Sequence, residues 1–390
     1  MDKRQHRNVM DYLRWRGDLT LQSDPFNVVD QLILCILAYL NYRRFPSLQT
    51  MESRRATPLR TISPLLRRED EQQGLSQLEY LPLLRAAAES ERFGDAALFG
   101  TVAEHDLQEE KQFAAVSFRL SDGSIFCAFM GTDTSIVGWK EDVNLSFMDE
   151  VPAQRRAVEY VEAIAAANEG KQYIGGHSKG GNLSMYAALH VSEAVQRRIA
   201  AVYNNDGPGF RTAPSELPAF AAMAEKIHTF VPAESIVGVL LEQAGDYTVV
   251  ESPEKFLLQH EPMSWQVEQG RLKTLPQRTA LGERTDRMTK AWLSELDEQQ
   301  RRDFCTALYD IVCCEGKFTT LEEVWQNRGE VLRRYHEQKA HKATLSAAMD
   351  RLMDLWKAEL HRLAEQEMQS VKHDLKDALE MLRRTLTKKK

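Results

Sequence analysis

Apolar residues in the first 97 positions fall into two stretches that predict helices. Residues 28–42 are mostly apolar over a length that suits a buried helix, and residues 82–93 have a helical period with Pro82 in the first turn, where proline is tolerated. The stretch between them, residues 44–74, is rich in Arg, Ser and Pro and has no clear period. We therefore expect an N-terminal helical segment over residues 1–97.

Short apolar runs alternate with amphipathic stretches after about residue 110. Two strands joined by a turn at Asp122-Gly123 are predicted first, over residues 113–120 and 124–130. Further strands are predicted at 171–175, 200–204, 227–231 and 247–251, and helices at 152–167, 182–191 and 216–226. This alternation is typical of an α/β fold with a mainly parallel sheet flanked by helices. The leading hairpin predicts an antiparallel start to that sheet.

The pattern becomes entirely helical after about Arg284. Helices are predicted over residues 291–313 and 321–338, followed by an apolar stripe at helical spacing that comprises Leu345, Met349, Leu352, Trp356, Leu360, Leu363, Val371, Leu375, Leu379, Leu382 and Leu386. We expect an α/β domain over residues 1–284 and a helical C-terminal extension over residues 285–390. Packing of the stripe on its own core, or in a homo-oligomer, is the simpler explanation. A specific partner or a membrane surface is the alternative.

Composition narrows the class of protein. The chain has 390 residues, of which 43% are hydrophobic and 27% charged, so a disordered chain is excluded. The net charge of −7 offers no basic excess for binding nucleic acid. The longest apolar run is too short to span a bilayer, and the first 15 residues lack the apolar core of a secretory signal. Five cysteines without zinc-ligand spacing indicate a reducing compartment. We expect a cytoplasmic protein without a metal or organic cofactor.

One short motif indicates chemistry. Gly176-His177-Ser178-Lys179-Gly180 contains the G-x-S-x-G pattern of a nucleophile elbow, and it lies between a predicted strand and a predicted helix. Such a turn holds its serine in strained dihedral angles, and the flanking glycines prevent clashes with the neighbouring backbone. A phosphate-binding loop is the alternative, but the G-x-x-x-x-G-K-[ST] pattern is absent. Ser178 is therefore the candidate nucleophile.

A serine hydroxyl needs a base, and the base needs a carboxylate that orients it. In the fold that carries this elbow, the chain order is Ser, Asp or Glu, then His. His190 is predicted on the helix after Ser178, and His228 at the start of a strand, away from the carboxyl ends where Ser178 lies. His260 follows the last strand and is therefore the candidate base. Asp206 and Glu234 each end a strand, so both are candidate acids, with Asp206 favoured.

Acyl transfer also needs hydrogen-bond donors for the developing oxyanion. The backbone N–H of Lys179, the residue after the nucleophile, is one candidate. Thr132 is the other, because it follows Gly131 at the end of the second predicted strand and offers both an N–H and a hydroxyl. A purely structural turn at Thr132 is the alternative. Trp139 and Asp142 are expected to fix the shape of the same loop.

These motifs resemble the α/β-hydrolase superfamily, and within it the class 3 lipase-like branch. The similarity is stronger to a bacterial lipase-like family of unknown function and extends over about residues 1–270. The matching blocks in this chain are Asp11-Tyr12-Leu13-x-Trp15-Arg16-Gly17-Asp18, Asp24-Pro25-Phe26-Asn27, Gly131-Thr132-Asp133, Gly176-His177-Ser178-Lys179-Gly180-Gly181-Asn182, Asp206-Gly207-Pro208-Gly209-Phe210 and Gln259-His260. Two positions depart from lipases, which often have Arg where this chain has Met130 and Asp where it has Glu234.

The resemblance implies a serine hydrolase that cleaves a carboxylic ester through an acyl-enzyme, with a small-molecule ester or a lipid as substrate. It implies no cofactor, and it says nothing about the C-terminal helices. The alternative is a hydrolase-like protein that no longer catalyses and instead binds a partner through those helices. All the residue types needed for catalysis are present, which favours the enzyme.

Overall fold

A mixed sheet forms the centre of the fold. The computed structural model describes residues 7–67, 80–243, 245–355 and 357–359. Its strands, numbered in chain order, are β1 Thr57–Pro58, β2 Ala97–Asp106, β3 Lys111–Arg119, β4 Ile125–Phe129, β5 Gln172–His177, β6 Ile199–Asn205, β7 Ile227–Pro232, β8 Tyr247–Val250, β9 Val267–Glu268, β10 Arg271–Leu272 and β11 Thr274–Leu275.

Helices cover both faces of this sheet and make up most of the C-terminal part. They are α1 Val9–Arg16, α2 Val28–Leu37, α3 Leu59–Ile62, α4 Leu81–Glu89, α5 Ile136–Asn144, α6 Pro152–Ala167, α7 Lys179–His190, α8 Glu193–Arg198, α9 Phe220–Met223, α10 Ala280–Ser294, α11 Glu298–Cys313, α12 Leu321–Gln326 and α13 Arg328–Glu337. Residues 339–355 are helical as well.

The strand order is β1-β2-β3-β4-β5-β6-β7-β8-β11. The five strands from β4 to β8 are parallel, and the pairs at both edges are antiparallel. The predicted α/β class, its parallel sheet and its antiparallel start are thereby confirmed. Because β4 to β7 run in the same direction, the loops that follow them meet at one edge of the sheet.

Two apolar cores lie on opposite faces of the sheet, as the alternation along β4 shows. Phe126 and Ala128 join a buried cluster with α1, α2 and α4, whereas Ile125, Cys127 and Phe129 join another with α6 and α7. Successive side chains of a strand point to opposite faces, so a strand covered by helices on both faces is apolar throughout. The N-terminal helices are thus one of the two layers that bury the sheet.

A buried ion pair fastens this N-terminal layer. The guanidinium of Arg92 contacts both carboxylate oxygens of Asp30 in α2, with its Nε 2.6 Å from Oδ1, and it also binds the backbone oxygens of Leu19 and Asp24. The Tyr12 hydroxyl of α1 donates to the same carboxylate over 2.9 Å. Asp30 is completely buried. The helices α1 and α2 are therefore held to the chain beyond α4 by one satisfied polar cluster.

Several sequence-based boundaries differ from the structure. The strand β2 was not predicted, because Gly100, with a φ of +63°, and a bulge between Phe99 and Val102 interrupt its alternation. The predicted helix over 216–226 is wrong: only α9 and two 3-10 turns form there, since Pro218 cannot donate an internal helix bond. The predicted helix over 291–313 is divided by the N-cap of Asp297, which begins α11.

The C-terminal region is helical, as predicted, and α11 packs against α5. The part of the predicted stripe from residue 360 onward, and Trp356, lie outside the described residues. The division of the chain at residue 284 stays a prediction. In the described ranges, every helix is either too short or too polar to cross a bilayer.

Candidate active site

Ser178 occupies a sharp turn between β5 and α7. Its backbone has φ +59° and ψ −134°, a region that non-glycine residues rarely adopt and that costs about 1–3 kcal/mol. The turn closes tightly, because a Cβ atom at Gly176 would lie 2.2 Å from the carbonyl carbon of Gly180, and one at Gly180 would lie 2.1 Å from the Phe129 oxygen. Ser178 is a half-buried residue and lies at the carboxyl ends of the parallel strands.

The predicted base and the favoured acid are in contact. His260 Nδ1 lies 2.6 Å from Asp206 Oδ2, and the Asp206 side chain is completely buried. A carboxylate accepts hydrogen bonds only, so Nδ1 carries a proton, and in the neutral form of the imidazole Nε2 is then the nitrogen with the free lone pair. Asp206 itself has a positive φ of +55°, and its other carboxylate oxygen accepts the Ser235 hydroxyl. The carboxylate is thereby fixed from two sides.

Glu234, the alternative acid, has different partners. Its carboxylate accepts the backbone N–H of Phe256 over 3.0 Å, and its own backbone N–H donates to Gln259 Oε1 over 2.9 Å. Both bonds brace the segment that leads to His260. Glu234 therefore supports the loop that carries the histidine, while Asp206 contacts the imidazole.

The imidazoles of His177 and His260 link the turn at Ser178 to the candidate base. Their ring centroids are 4.5 Å apart, and His177 Nε2 lies 2.7 Å from the backbone oxygen of His260. Since a carbonyl oxygen only accepts, Nε2 of His177 carries its proton, and Nδ1 accepts the Tyr39 hydroxyl over 2.9 Å. Burial and the charge of His260 lower the pKa of His177 well below its usual range, so this ring is neutral.

Thr132 lies on the loop that follows β4, beside Ser178. A Cβ atom at Gly131 would lie 2.9 Å from Ser178 Cβ, so the loop passes next to the nucleophile. The Thr132 hydroxyl donates to Asp142 Oδ2 over 2.5 Å. The other oxygen, Asp142 Oδ1, is buried without a hydrogen-bond partner among the described residues. Burial raises the pKa of Asp142 to about 6, although the Lys179 ammonium and the Thr132 hydroxyl act in the opposite direction.

Lys179 has separate roles for its backbone and its side chain. It is the first residue of α7, so its N–H has no acceptor within the helix and lies at the positive end of the helix dipole. Its side chain is buried, and Nζ lies 2.9 Å from Glu141 Oε2 and 2.5 Å from Gln112 Oε1. Glu141 also accepts the backbone N–H of Ala153. The ammonium therefore joins α7 to α5, and the backbone N–H remains the candidate oxyanion donor.

The family follows from a direct comparison. A family model described as Mbeg1-like matches residues 87–310, more than half of the chain. The chain belongs to the Mbeg1-like family. This is a lipase-like family, and the matched residues include Ser178, His260, Asp206 and Thr132.

Other comparisons add little to the Mbeg1-like assignment. A crystal structure described as M37 lipase is similar at 16% identity and a TM-score of 0.33, over 55% of this chain and 69% of that chain. That likeness is too distant to bear on function. No curated protein matches the chain.

The other two histidines considered as the base in this Mbeg1-like chain, His190 and His228, have different partners. His190 ends α7 and stacks on Tyr186 with a centroid distance of 3.8 Å. His228 lies near the start of β7 and stacks on Tyr203 at 5.5 Å. Trp139 is 37% exposed on α5. Within the described ranges, no three His, Cys, Asp or Glu side chains are arranged to hold a metal ion.

Several residues that contact the candidate active site were not predicted from the sequence to do so. Ser235 fixes Asp206, and Glu141 binds the Lys179 ammonium. Tyr39 binds His177, which in turn binds the backbone oxygen of His260. The motif places His177 directly before Ser178, but the partners of the His177 ring, Tyr39 and His260, lie far away in the sequence and so could not be predicted. The Glu141-Asp142 pair was the clearest available signal, since two adjacent acids rarely occur on a helix that packs in a core.

Proposed function

We propose that this protein is a serine hydrolase that cleaves a carboxylic ester through an acyl-enzyme. The observations that carry the proposal are the contact between His260 and the buried Asp206, and the positive φ of Ser178 on a strand-to-helix turn whose preceding residue, His177, packs on the His260 ring. Those three features are the parts of a nucleophile, base and orienting acid. Membership of a lipase-like family supports the same class of reaction.

In the proposed acylation, Ser178 Oγ attacks the ester carbonyl carbon while its proton passes to His260 Nε2. The carbonyl π electrons move to oxygen and form a tetrahedral oxyanion. Collapse of this intermediate breaks the bond to the alkoxide, which takes the proton from the imidazolium and leaves as the alcohol. Asp206 keeps Nδ1 protonated and stabilises the positive charge on His260 during this step. The product bound to the enzyme is an ester of Ser178.

Two backbone donors are proposed to stabilise the oxyanion. They are the N–H groups of Lys179 and Thr132, one at the start of α7 and one on the loop beside Ser178. In this proposal the Thr132 hydroxyl, which donates to Asp142, fixes the loop that carries the second donor. In related enzymes, removal of a single donor of this kind lowers kcat by about 10²- to 10³-fold.

Deacylation repeats the same chemistry with water. His260 Nε2 removes a proton from a water molecule, the resulting hydroxide attacks the acyl carbon, and Ser178 leaves after it regains the proton. The carboxylic acid is released and the free serine is restored. Neither half of the cycle consumes an electron carrier or a further co-reactant, so the acid and the alcohol account for all the atoms of the ester and one water.

The proposal is tested with a fluorophosphonate probe and a short p-nitrophenyl ester. We expect the wild-type protein to be labelled and to hydrolyse p-nitrophenyl butyrate, and Ser178→Ala to do neither. Ser215→Ala, a change at an exposed serine of a short 3-10 turn, serves as the matched control and should behave as the wild type. Equal labelling of wild type and Ser178→Ala would refute the assignment of the nucleophile. An unlabelled and inactive wild type would favour the binding-only alternative.

A further inference from the structure

The C-terminal helical region pairs its backbone with the loop that carries Thr132. The backbone N–H of Leu321 donates to the Thr134 oxygen over 2.9 Å, and the N–H of Ile136 donates to the Thr319 oxygen over 2.8 Å. Between these bonds, Ser135 and Thr320 form an antiparallel bridge. The two segments thus form a short two-stranded contact that begins two residues after Thr132.

Side chains reinforce this contact. Ile136, at the start of α5, is buried in a cluster with Cys313, Cys314 and Phe318 from the end of α11 and the loop after it. Further along α5, the Lys140 ammonium lies 4.0 Å from the centre of the Tyr309 ring, and Cys305 Sγ donates to Asn144 Oδ1 over 3.3 Å. One face of α5 is therefore covered by α11 over its whole length.

The same helix also holds the residues that reach the candidate site. Asp142 accepts the Thr132 hydroxyl, and Glu141 binds the Lys179 ammonium. The helix α5 consequently lies between the C-terminal region and both proposed oxyanion donors. A loop is usually the most mobile part of a site, and a donor must be placed within a few tenths of an ångström to act on a developing charge.

We propose that the C-terminal helical region is a positioning element of the proposed hydrolase, which holds the loop of residues 131–136 in the geometry that stabilises the oxyanion. This inference rests on the proposed function and adds a role for the region after residue 284. The oxyanion forms only after the nucleophile attacks. Loss of the contact should therefore lower kcat and leave KM almost unchanged.

Two proline substitutions remove the bridging bonds one at a time. Leu321 is the first residue of α12 and Ile136 is the first residue of α5, the helical position at which proline is best tolerated. The preceding residues, Thr320 and Ser135, already have extended backbones that suit a following proline. Leu321→Pro and Ile136→Pro therefore each delete one inter-segment hydrogen bond without a cost inside the helix. Leu321→Ala and Ile136→Ala are the matched controls that keep the N–H.

We expect each proline variant to lose about 10- to 100-fold in kcat on p-nitrophenyl butyrate relative to its alanine control, with KM within about twofold. Fluorophosphonate labelling of Ser178 should slow by a similar factor. Amide hydrogen exchange of residues 131–136 should be faster in the proline variants than in the alanine controls, at equal melting temperature. These results together support the positioning role.

Equal kcat and equal loop exchange in both proline and alanine pairs, in a wild type that is labelled at Ser178, would overturn the positioning role alone. An unlabelled wild type would instead overturn the proposed function and the positioning role with it. The two failures are thus distinguished by the wild-type labelling, which is measured first.

Discussion

His177 Nε2 donates a hydrogen bond of 2.7 Å to the backbone oxygen of His260. The donor comes from the residue before the candidate nucleophile, and the acceptor belongs to the candidate base. The Tyr39 hydroxyl, from the turn after α2, completes the arrangement by donating to His177 Nδ1. The N-terminal layer, β5 and the loop after β8 therefore share one buried chain of hydrogen bonds.

Replacing His177 should reduce turnover by displacing His260. In His177→Phe the ring that packs on His260 is kept but the donor to its backbone is lost, so we expect kcat to fall about 10- to 100-fold. His177→Gln can still donate to the backbone oxygen and should retain more activity than His177→Phe. The measurement is kcat and KM with p-nitrophenyl butyrate. If the two variants lose the same activity, the hydrogen bond has no special role.

Asp206→Asn and Glu234→Gln distinguish the two candidate acids. Asp206→Asn keeps the shape of the side chain but removes the charge that opposes the imidazolium, so kcat should fall by about 10²–10⁴. Glu234→Gln keeps an oxygen that accepts the Phe256 N–H and should lower kcat by less than about fivefold. Steady-state kinetics of both variants decide the question. A larger loss in Glu234→Gln would show that the acid is Glu234.

Asp142→Asn should stabilise the protein at pH 8 and lower its activity. Burial raises the pKa of Asp142 from 3.8 to about 6, so the ionised carboxylate costs folding free energy. The pKa of Asp142 is higher in the folded protein than in the unfolded chain, so protonation of this carboxyl favours folding. The resulting stability is fully present below pH 3.8 and is lost as the pH rises through about 6. At pH 8 the neutral amide avoids a penalty of about 2–3 kcal/mol, and the difference should disappear near pH 4.

Urea unfolding at pH 4, 6 and 8 measures this effect, with the exposed Asp246→Asn as control. The control should show no comparable gain. We expect kcat of Asp142→Asn to fall about tenfold, because the strong charge-assisted bond that fixes Thr132 is weakened. An Asp142→Asn protein that is less stable than wild type at pH 8 would contradict the assigned cost of the charge.

Arg92→Ala should destabilise the fold much more than the loss of an exposed ion pair. It leaves the Asp30 carboxylate and the Tyr12 hydroxyl buried without their cation, for which we expect a loss of about 3–5 kcal/mol in the free energy of unfolding. Arg197→Ala removes an exposed pair with Glu193 and should change stability by less than about 0.5 kcal/mol. Denaturant unfolding of both variants at pH 7 is the measurement. Equal losses in the free energy of unfolding would show that the buried cluster stabilises the fold no more than an exposed ion pair.

The sequence by itself determined the α/β class, the positions of most strands along the chain and the sharp turn at Ser178. These features depend on local rules: the period of apolar residues, the proline and glycine positions, and the need for small residues where backbones meet. The same rules missed the strand β2, which contains a bulge, and wrongly predicted a continuous helix around Pro218.

Only the tertiary structure decided which side chains meet. The sequence left Asp206 and Glu234 both open, because each follows a strand of the same sheet and no local pattern shows which of them faces the imidazole. It gave no sign that α11 covers α5, or that Tyr39 reaches His177 from 138 residues away. Such contacts depend on how helices pack across the sheet and on which buried polar groups find partners there. A buried polar group without a partner costs free energy, and its partner can come from any part of the sequence. The pairing therefore depends on the fold of the whole chain and cannot be predicted from a local pattern.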